Sequence, residues 1–290
     1  MKSASFFSFF IVTFIIVLGL QKAVASEVGS CETGSPRQVR VATLNLMTTN
    51  VPYSFLFGSW ESRSNSIAAW AQEQQIDILG TQEGTESMLS SLSQKTPHLK
   101  KIFRSRLSPN NNTEYTTLFF NPKKFALLSD GEFWMSKTPD VPESRNWGSS
   151  AARRTVWAQL QNKQTGNSIF VFNAHFDFLS EKARVESAKL ALEKIKAIAG
   201  QSQVVLMGDL NVTASEETMS VLEQELLDTR SSSLHPPVGS LSTYIIMDRR
   251  LDYIYTDRGT KTCQYQVQKP KTKKGTWVSD HLPVIADIEN

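Results

Sequence analysis

From residue 38 to the C terminus, short apolar runs alternate with stretches of helical periodicity. The runs VRVATLNL (39–46), DILGTQE (77–83), TTLFFN (116–121), RTVWAQL (154–160), SIFVFNAHFDF (168–178), QVVLMGD (203–209), LDYIYT (251–256) and LPVIADI (282–288) are rich in β-branched and aromatic residues. Their length and composition predict strands, and several are apolar on both faces, as strands of a sheet covered on both sides are. The clearest helix is predicted over 181–199, where Val185, Ala188, Leu192, Ile195 and Ala199 recur at spacings of three and four, with Ser180 as N-cap and Gly200 as the stop. Segments 60–75 and 85–95 carry weaker helical patterns. No repeat and no domain-length linker follow residue 37. The pattern predicts one α/β domain over 38–290, built from two mostly antiparallel sheets packed together with helices outside. Long polar loops are expected at 106–113, 136–152 and 228–250, a length that in compact domains is commonly functional.

The N-terminal stretch breaks this pattern. Lys2 precedes the apolar run FFSFFIVTFIIVLGL (6–20), and Ala23-Val24-Ala25 has the small-x-small form of a signal peptidase site. Residues 1–25 are expected to be a cleaved secretory signal, placing the protein in a periplasm or outside the cell. An uncleaved anchor is the alternative, against which the run falls short of the ~20 residues of a spanning helix. Residues 26–37 are small and polar and are expected to be a linker.

Export changes the charge balance. The chain has 31 Lys plus Arg against 28 Asp plus Glu, but Lys2 and Lys22 leave with the signal, so the mature chain carries 29 against 28, a net +1. Bulk charge therefore gives no support for nucleic-acid binding, and attraction for phosphate must be local. QKPKTKKGT (268–276) is one such locus, readable as a solvated turn or as a phosphate-attracting rim. Cys31 and Cys263 are the two cysteines. In an oxidising compartment they suggest one disulfide, with two unpaired thiols as the alternative.

Polar residues gather where the apolar runs end. Asn45 ends VATLN, Glu83 ends ILGTQE, His175 follows FVFNA, Asp209 and Asn211 follow VVLMG, Asp252 begins LDYIY, and Asp280-His281 precede LPVIADI. Singly, each is an ordinary turn or surface residue. Together they are the parts for hydrolysing a phosphate ester with a hard metal ion, which takes oxygen ligands and keeps several waters. Glu83 and Asp280 suit the metal, with Asn45 beside them; Asp209 can polarise a water, and Asn211 can hold that water or a phosphate oxygen. Protonated His175 and His281 could stabilise the excess charge of the transition state, with Asp252 fixing the His281 tautomer.

The ordered set TLNL, TQE, NAHFD, GDLN, LDYIY and SDHLPV resembles the motifs of the endonuclease/exonuclease/phosphatase superfamily, across residues 38–290. The resemblance implies a four-layer α/β/β/α sandwich and cleavage of phosphoester bonds with Mg²⁺ or Mn²⁺. Carried over by motif, Asn45, Glu83 and Asp280 take the metal and phosphate positions, Asp209 and Asn211 the water-activating pair, Asp252 the partner of His281, and His175 a position where deoxyribonuclease-like members keep histidine. FWMSKTPDVP (133–142) and RRTVWAQL (153–160) resemble a mostly bacterial subgroup, in whose pattern Arg154 would reach a phosphate. Trp147, in the preceding loop, could stack on a base, dock a lipid or anchor the loop.

The expected protein is thus an exported Mg²⁺- or Mn²⁺-dependent phosphoesterase, nuclease- or phosphodiesterase-like. Its substrate would be a nucleic acid or a phospholipid or inositol phosphate head group. The alternatives are a lipid- or inositol-phosphate-directed phosphatase or sphingomyelinase-like enzyme, a phosphomonoesterase and a catalytically silent binding module. A monomer with no obligate protein partner is expected.

Overall fold

A computed structural model describes Met1, Cys31 and residues 34–102, 114–213 and 215–290. The expected signal peptide beyond Met1, much of the 26–37 linker and the 106–113 loop lie outside the described residues. Cys31–Asn290 form one compact unit.

In chain order the elements are β1 (Gln38–Asn45), α1 (Trp60–Glu73), β2 (Ile78–Gly84), α2 (Glu86–Lys95), β3 (Lys100–Ile102), β4 (Tyr115–Phe120), β5 (Phe125–Trp134), β6 (Arg154–Asn162), β7 (Ser168–His175), α3 (Glu181–Ala199), β8 (Gln203–Asp209), α4 (Glu217–Leu222), β9 (Leu226–Asp228), α5 (Thr229–Ser232), β10 (Asp252–Asp257), β11 (Thr262–Val267) and β12 (Val284–Glu289). One six-stranded sheet runs β11-β12-β1-β2-β4-β3 and the other β5-β6-β7-β8-β10-β9. Only the central pairs, β1 with β2 and β7 with β8, are parallel; the remaining pairings are antiparallel.

Three apolar layers hold these elements as α/β/β/α. Between the sheets, Val39, Val41, Ile78, Ile169, Val171, Val205 and Met207 interdigitate with the inward faces of β6 and β12. On the first sheet's outer face, Ala42, Leu44 and Leu79 meet Ile67, Trp70, Ala71, Met88 and Leu92 of α1 and α2. On the second sheet's outer face, Phe170, Phe172 and Leu206 meet Val185, Ala188, Ala191 and Ile195 of α3. The alternation of inward and outward residues along β1 and β7 is the period-two consequence of strand geometry. α3 has the predicted ends: Ser180 accepts from the Ala183 amide, and Gly200 closes the helix at φ 60°.

The inter-sheet layer contains a polar bridge. Asn173, on the inward face of β7 after Ile169 and Val171, donates to the carbonyl oxygens of Thr81 at 3.0 Å and Thr117 at 2.8 Å on the opposite sheet. Its own oxygen accepts from Gln82 at 2.7 Å, whose amide also reaches Thr43 at 3.0 Å. All five residues are buried. Gly80 makes room for this approach, since a Cβ there would lie 2.9 Å from the Asn173 amide.

Cys31 and Cys263 form a disulfide with Cα atoms 5.7 Å apart, which decides between the two readings of the cysteines. It fastens the chain before β1 to edge strand β11. Of the long loops, 136–152 is tied down by Asp177. This carboxylate accepts from Ser149, from the Ser150 hydroxyl and amide, and from the amides of Leu179 and Ser180 at the head of α3. Burial opposes its charge, but these donors hold the carboxyl down at about 2.

Asn173→Leu, of similar volume, would remove the donor to two buried carbonyls and the acceptor of one Gln82 N–H. A loss of roughly 2–5 kcal/mol is expected from the cost of unsatisfied buried groups, measured as a shift in the urea unfolding midpoint at unchanged slope.

Candidate active site

At one end of the sandwich the inward-facing row changes from apolar to polar. His175, Asp209 and Asp252 stand side by side in register on β7, β8 and β10, directly after inward Asn173, Met207 and before Ile254. Across the gap, Asn45 ends β1 after inward Val39, Val41 and Thr43. Glu83 follows it from a bulge in β2, where pairing with β4 slips between Thr81 and Gly84. Glu83 sits at φ 59° and Asn211 at φ 52°, left-handed conformations that are uncommon for such residues and cluster at functional sites. Gly208 prepares the Asp209 position: at φ 142° it passes so close to β7 that a Cβ would fall 1.9 Å from the Ala174 carbonyl oxygen.

Asp209 is the hub. One carboxylate oxygen accepts from the Asn45 amide at 2.9 Å and lies 3.6 Å from His175 Nε2 and 3.7 Å from His281 Nε2. The other accepts from the Asn211 backbone amide at 3.0 Å. Asn45 also donates to Glu83 at 2.9 Å, while its oxygen accepts from the Met47 amide. The amide nitrogen of Asn45 therefore faces the cluster, and in this arrangement it spaces two carboxylates. Asn211 donates its side-chain amide to Phe176 O at 3.1 Å, which holds it in the site.

The two histidines are electrostatically opposite. His281 Nδ1 lies 2.8 Å from Asp252. Burial disfavours its charge, but Asp252 and Asp209 outweigh this and raise it to about 10, so it is an imidazolium at neutral pH. Burial pushes His175 well below its ordinary 6.5, and Arg153 and His281 add to the effect. These effects favour the neutral imidazole at His175. An Arg153 nitrogen lies within 3.1 and 3.2 Å of its two ring nitrogens. With Nε2 turned to Asp209, the tautomer protonated there satisfies both neighbours.

Burial is also the main cause that lifts the Asp209 carboxyl far above the ordinary carboxylate range; Asp252 and Glu83 add to it and His281 opposes. A carboxylate so shifted is suited to take a proton from water near neutral pH. Asp280 is raised as well, by burial first, with Glu83 adding; it accepts from Tyr53 at 3.1 Å and Ser279 at 3.3 Å. Beneath this end of the sheet lies Arg63, fully buried, donating to the carbonyls of Leu46, Met47 and Val278.

Arg154 does not fill the expected phosphate role. It stands on the inward face of β6 at this end, but its guanidinium pairs with Glu132 at 2.9 Å and packs against the rings of Tyr115 and Trp134. Its neighbour Arg153 is the arginine in contact with the histidine. Trp147 is half-buried at φ 57°, and its carbonyl accepts from Ser180, so it belongs to the loop anchorage. The sequence reading passed over Arg153, Tyr53, Tyr244, whose ring lies 4.8 Å from that of His281, and Glu114. The Glu114 carboxyl is pushed up to about 7 by desolvation first and Glu83 second.

The donors fit a hard divalent cation. Glu83, His175 and Asp209 offer atoms within 4.8 Å of one another. Glu83 raises both Asp280 and Glu114, and one Asp252 oxygen is buried without a partner. A cation relieves like-charge crowding of this kind.

Residues 47–281 match the sequence model of the Endonuclease/Exonuclease/phosphatase family. An uncharacterised Acanthamoeba polyphaga mimivirus protein is 26% identical over 253 residues, covering 79% of this chain and 92% of that one. Among solved structures, an endonuclease/exonuclease/phosphatase from Bacteroides vulgatus superposes with a TM-score of 0.81 at 26% identity, over 87% of this chain and 98% of that one. A mannosyl-6-phosphatase from Bacteroides thetaiotaomicron does so at 0.78 and 28% identity, over 87% and 100%.

The His281–Asp252 pair has a definite pH signature. A group raised in the folded state contributes stability that is complete below its ordinary 6.5 and is lost as pH rises through about 10. In a chelator, the urea midpoint of the wild type is expected to fall across that interval, whereas Asp252→Asn should flatten the slope and lower the His281 imidazole titration seen by NMR. An unchanged slope and titration would contradict the assignment.

Proposed function

Because the chain belongs to the endonuclease/exonuclease/phosphatase family, whose members are hydrolases of phosphoester bonds and generally use divalent metals, we propose that it hydrolyses a phosphodiester by in-line attack of water, with Mg²⁺ or Mn²⁺ as cofactor. The observation that carries this reading is the placement of Asp209, buried and proton-avid, between Asn45, His175, His281 and Asn211.

Glu83 and Asp280 would hold the cation, with Glu114 alongside. When bound, the cation supplies Lewis-acid neutralisation of phosphate oxygens. Asp209 orients a water and accepts its proton, and the Asn211 side chain, held by Phe176, flanks that water. The Arg153 guanidinium donates toward a phosphate oxygen, while neutral His175 links Arg153, at Nδ1, to Asp209, at Nε2. The His281 imidazolium, held by Asp252, meets the charge that grows as the bond breaks, where preorganised donors stabilise most.

For substrate class, phosphodiesters are supported by exposed apolar residues on both sides of the cleft, Phe55 and Ile246 beyond Asp280 and Phe178 beyond His175, which suit substituents on two ester oxygens. A long duplex is less well served: Arg154 pairs with Glu132 and Arg250 with Asp228. A phosphomonoester of a small polyol is the second reading, supported by the mannosyl-6-phosphatase neighbour. We also read residues 1–25 as an export signal, a reading supported by the Cys31–Cys263 disulfide.

The test is release of p-nitrophenol from its phosphate diester, compared with phosphate release from mannose 6-phosphate. Activity should require Mg²⁺ or Mn²⁺, cease in chelator, and fall by about 10³-fold or more in Asp209→Ala, as expected for loss of a proton-accepting group that also positions water. Arg154→Ala should leave KM for the diester nearly unchanged while Arg153→Ala raises it. Undiminished turnover in chelator or in Asp209→Ala would overturn the proposal.

A further inference from the structure

Four large exposed hydrophobic side chains lie beside the Asp280 edge of the cleft. Phe55 is 75% exposed, Leu56 61%, Ile246 50% and Met247 54%. The first pair lies in the 3-10 turn Ser54–Phe57. The second lies at the tip of the 244–249 turn, whose ends, Tyr244 and Arg249, pair with each other. Both tips are carried by the same two tyrosines. Tyr53 donates to Asp280 at 3.1 Å, and Tyr244 packs on the adjacent His281. Each tip begins two residues beyond one of these tyrosines, so the two pairs project from one rim.

The lysine-rich turn is fastened to the same rim. Thr276 Oγ1 donates to Phe57 O at 3.0 Å, directly after Phe55 and Leu56. Lys269, Lys271, Lys273 and Lys274 are exposed. Lys271 lies over the Trp277 ring, and Lys273 and Lys274 form no ion pair among the described residues. The chain thus presents adjacent apolar side chains on convex tips next to unneutralised lysines, on a protein whose charge is otherwise nearly balanced.

Soluble proteins scatter exposed apolar residues singly, and paired ones on protruding turns mark interaction surfaces. Base stacking would use Phe55 alone and gain nothing from Leu56, Ile246 and Met247. Hydrocarbon accepts all four, while lysines set beside them meet anionic head groups at about 1 kcal/mol per residue near the surface. We propose that this rim docks the protein on an anionic phospholipid bilayer, with the cleft mouth at the membrane. The docking stands on its own and does not depend on the phosphodiester reading.

The test is cosedimentation of the purified protein with phosphatidylcholine vesicles, with and without phosphatidylserine, in chelator so that no turnover occurs. Binding to the phosphatidylserine vesicles is expected to be at least about tenfold tighter and to weaken with salt. The pair Leu56→Ser/Met247→Ser should weaken it by about tenfold or more, and Lys273→Glu/Lys274→Glu should abolish the preference for phosphatidylserine. Both double variants should keep the wild-type urea midpoint and the turnover of a small soluble phosphoester. Failure to bind phosphatidylserine vesicles, or binding unaffected by both double variants, would overturn the proposal. So would retention on an oligonucleotide, lost in the lysine variant, by a protein that ignores vesicles.

Discussion

The site depends on one cross-sheet contact, the Asn173 amide. Asn45 and Glu83 belong to one sheet, and His175, Asp209 and Asp252 to the other, so the Asn45–Asp209 hydrogen bond at 2.9 Å exists only if the sheets neither slide nor splay. Apolar packing between sheets is nondirectional and tolerates small shifts. Asn173 adds direction: its two donors and one acceptor meet Thr81, Thr117 and Gln82 of the opposite sheet. It lies on β7 two residues before His175, so the alignment is imposed one layer below the chemistry.

A second constraint is electrostatic. Five carboxylates, Glu83, Glu114, Asp209, Asp252 and Asp280, crowd this end, and burial would neutralise them if nothing offset their charge. The chain supplies fixed cations on several sides: His281 against Asp252, Arg153 beside His175, and Arg63 beneath. Burial lowers Arg63 to about 10, while Asp280 and Glu83 oppose the shift, so it remains a guanidinium at neutral pH. Its hydrogen bonds go to the carbonyls of Leu46, Met47 and Val278, so it also holds the segments that follow Asn45 and precede Asp280. The same residue gives charge compensation and placement.

Much of this could be read from the sequence because the central strands are buried on both faces. Their apolar runs are unmistakable, and a polar residue at the end of each is conspicuous, which is how Asn45, Glu83, His175, Asp209, Asp252 and His281 were assembled. Edge strands escaped that reading. β5 (FALLSDGEFW) and β11 (TCQYQV) mix polar residues into half-exposed faces, so neither has a continuous apolar signal. Missing β5 hid Glu132, and with it the reason Arg154 is engaged: the inward phase of Val156, Ala158 and Leu160 puts Arg154 toward the interior, but its partner lies on a strand the pattern does not announce. Asn173 was visible as a polar interruption in FVFNAHF, yet its role depends on carbonyls from two distant strands. Tyr53, Tyr244 and Glu114 reach the site from turns and strand edges, where position follows from tertiary packing and not from periodicity.

The Cys31–Cys263 bond closes a covalent ring of 232 residues of separation, which encloses every element from β1 to β10 and leaves β12 outside. Tension applied between the chain before Cys31 and the C terminus bypasses the ring and is carried by the sulfur bridge and the β11–β12 ladder. A protease cut in any loop from 34 to 262 gives two fragments that stay joined, so a nicked molecule retains its mass on a non-reducing gel and can keep both halves of its site. The bridge thus acts as a tether against cleavage as well as an aid to folding.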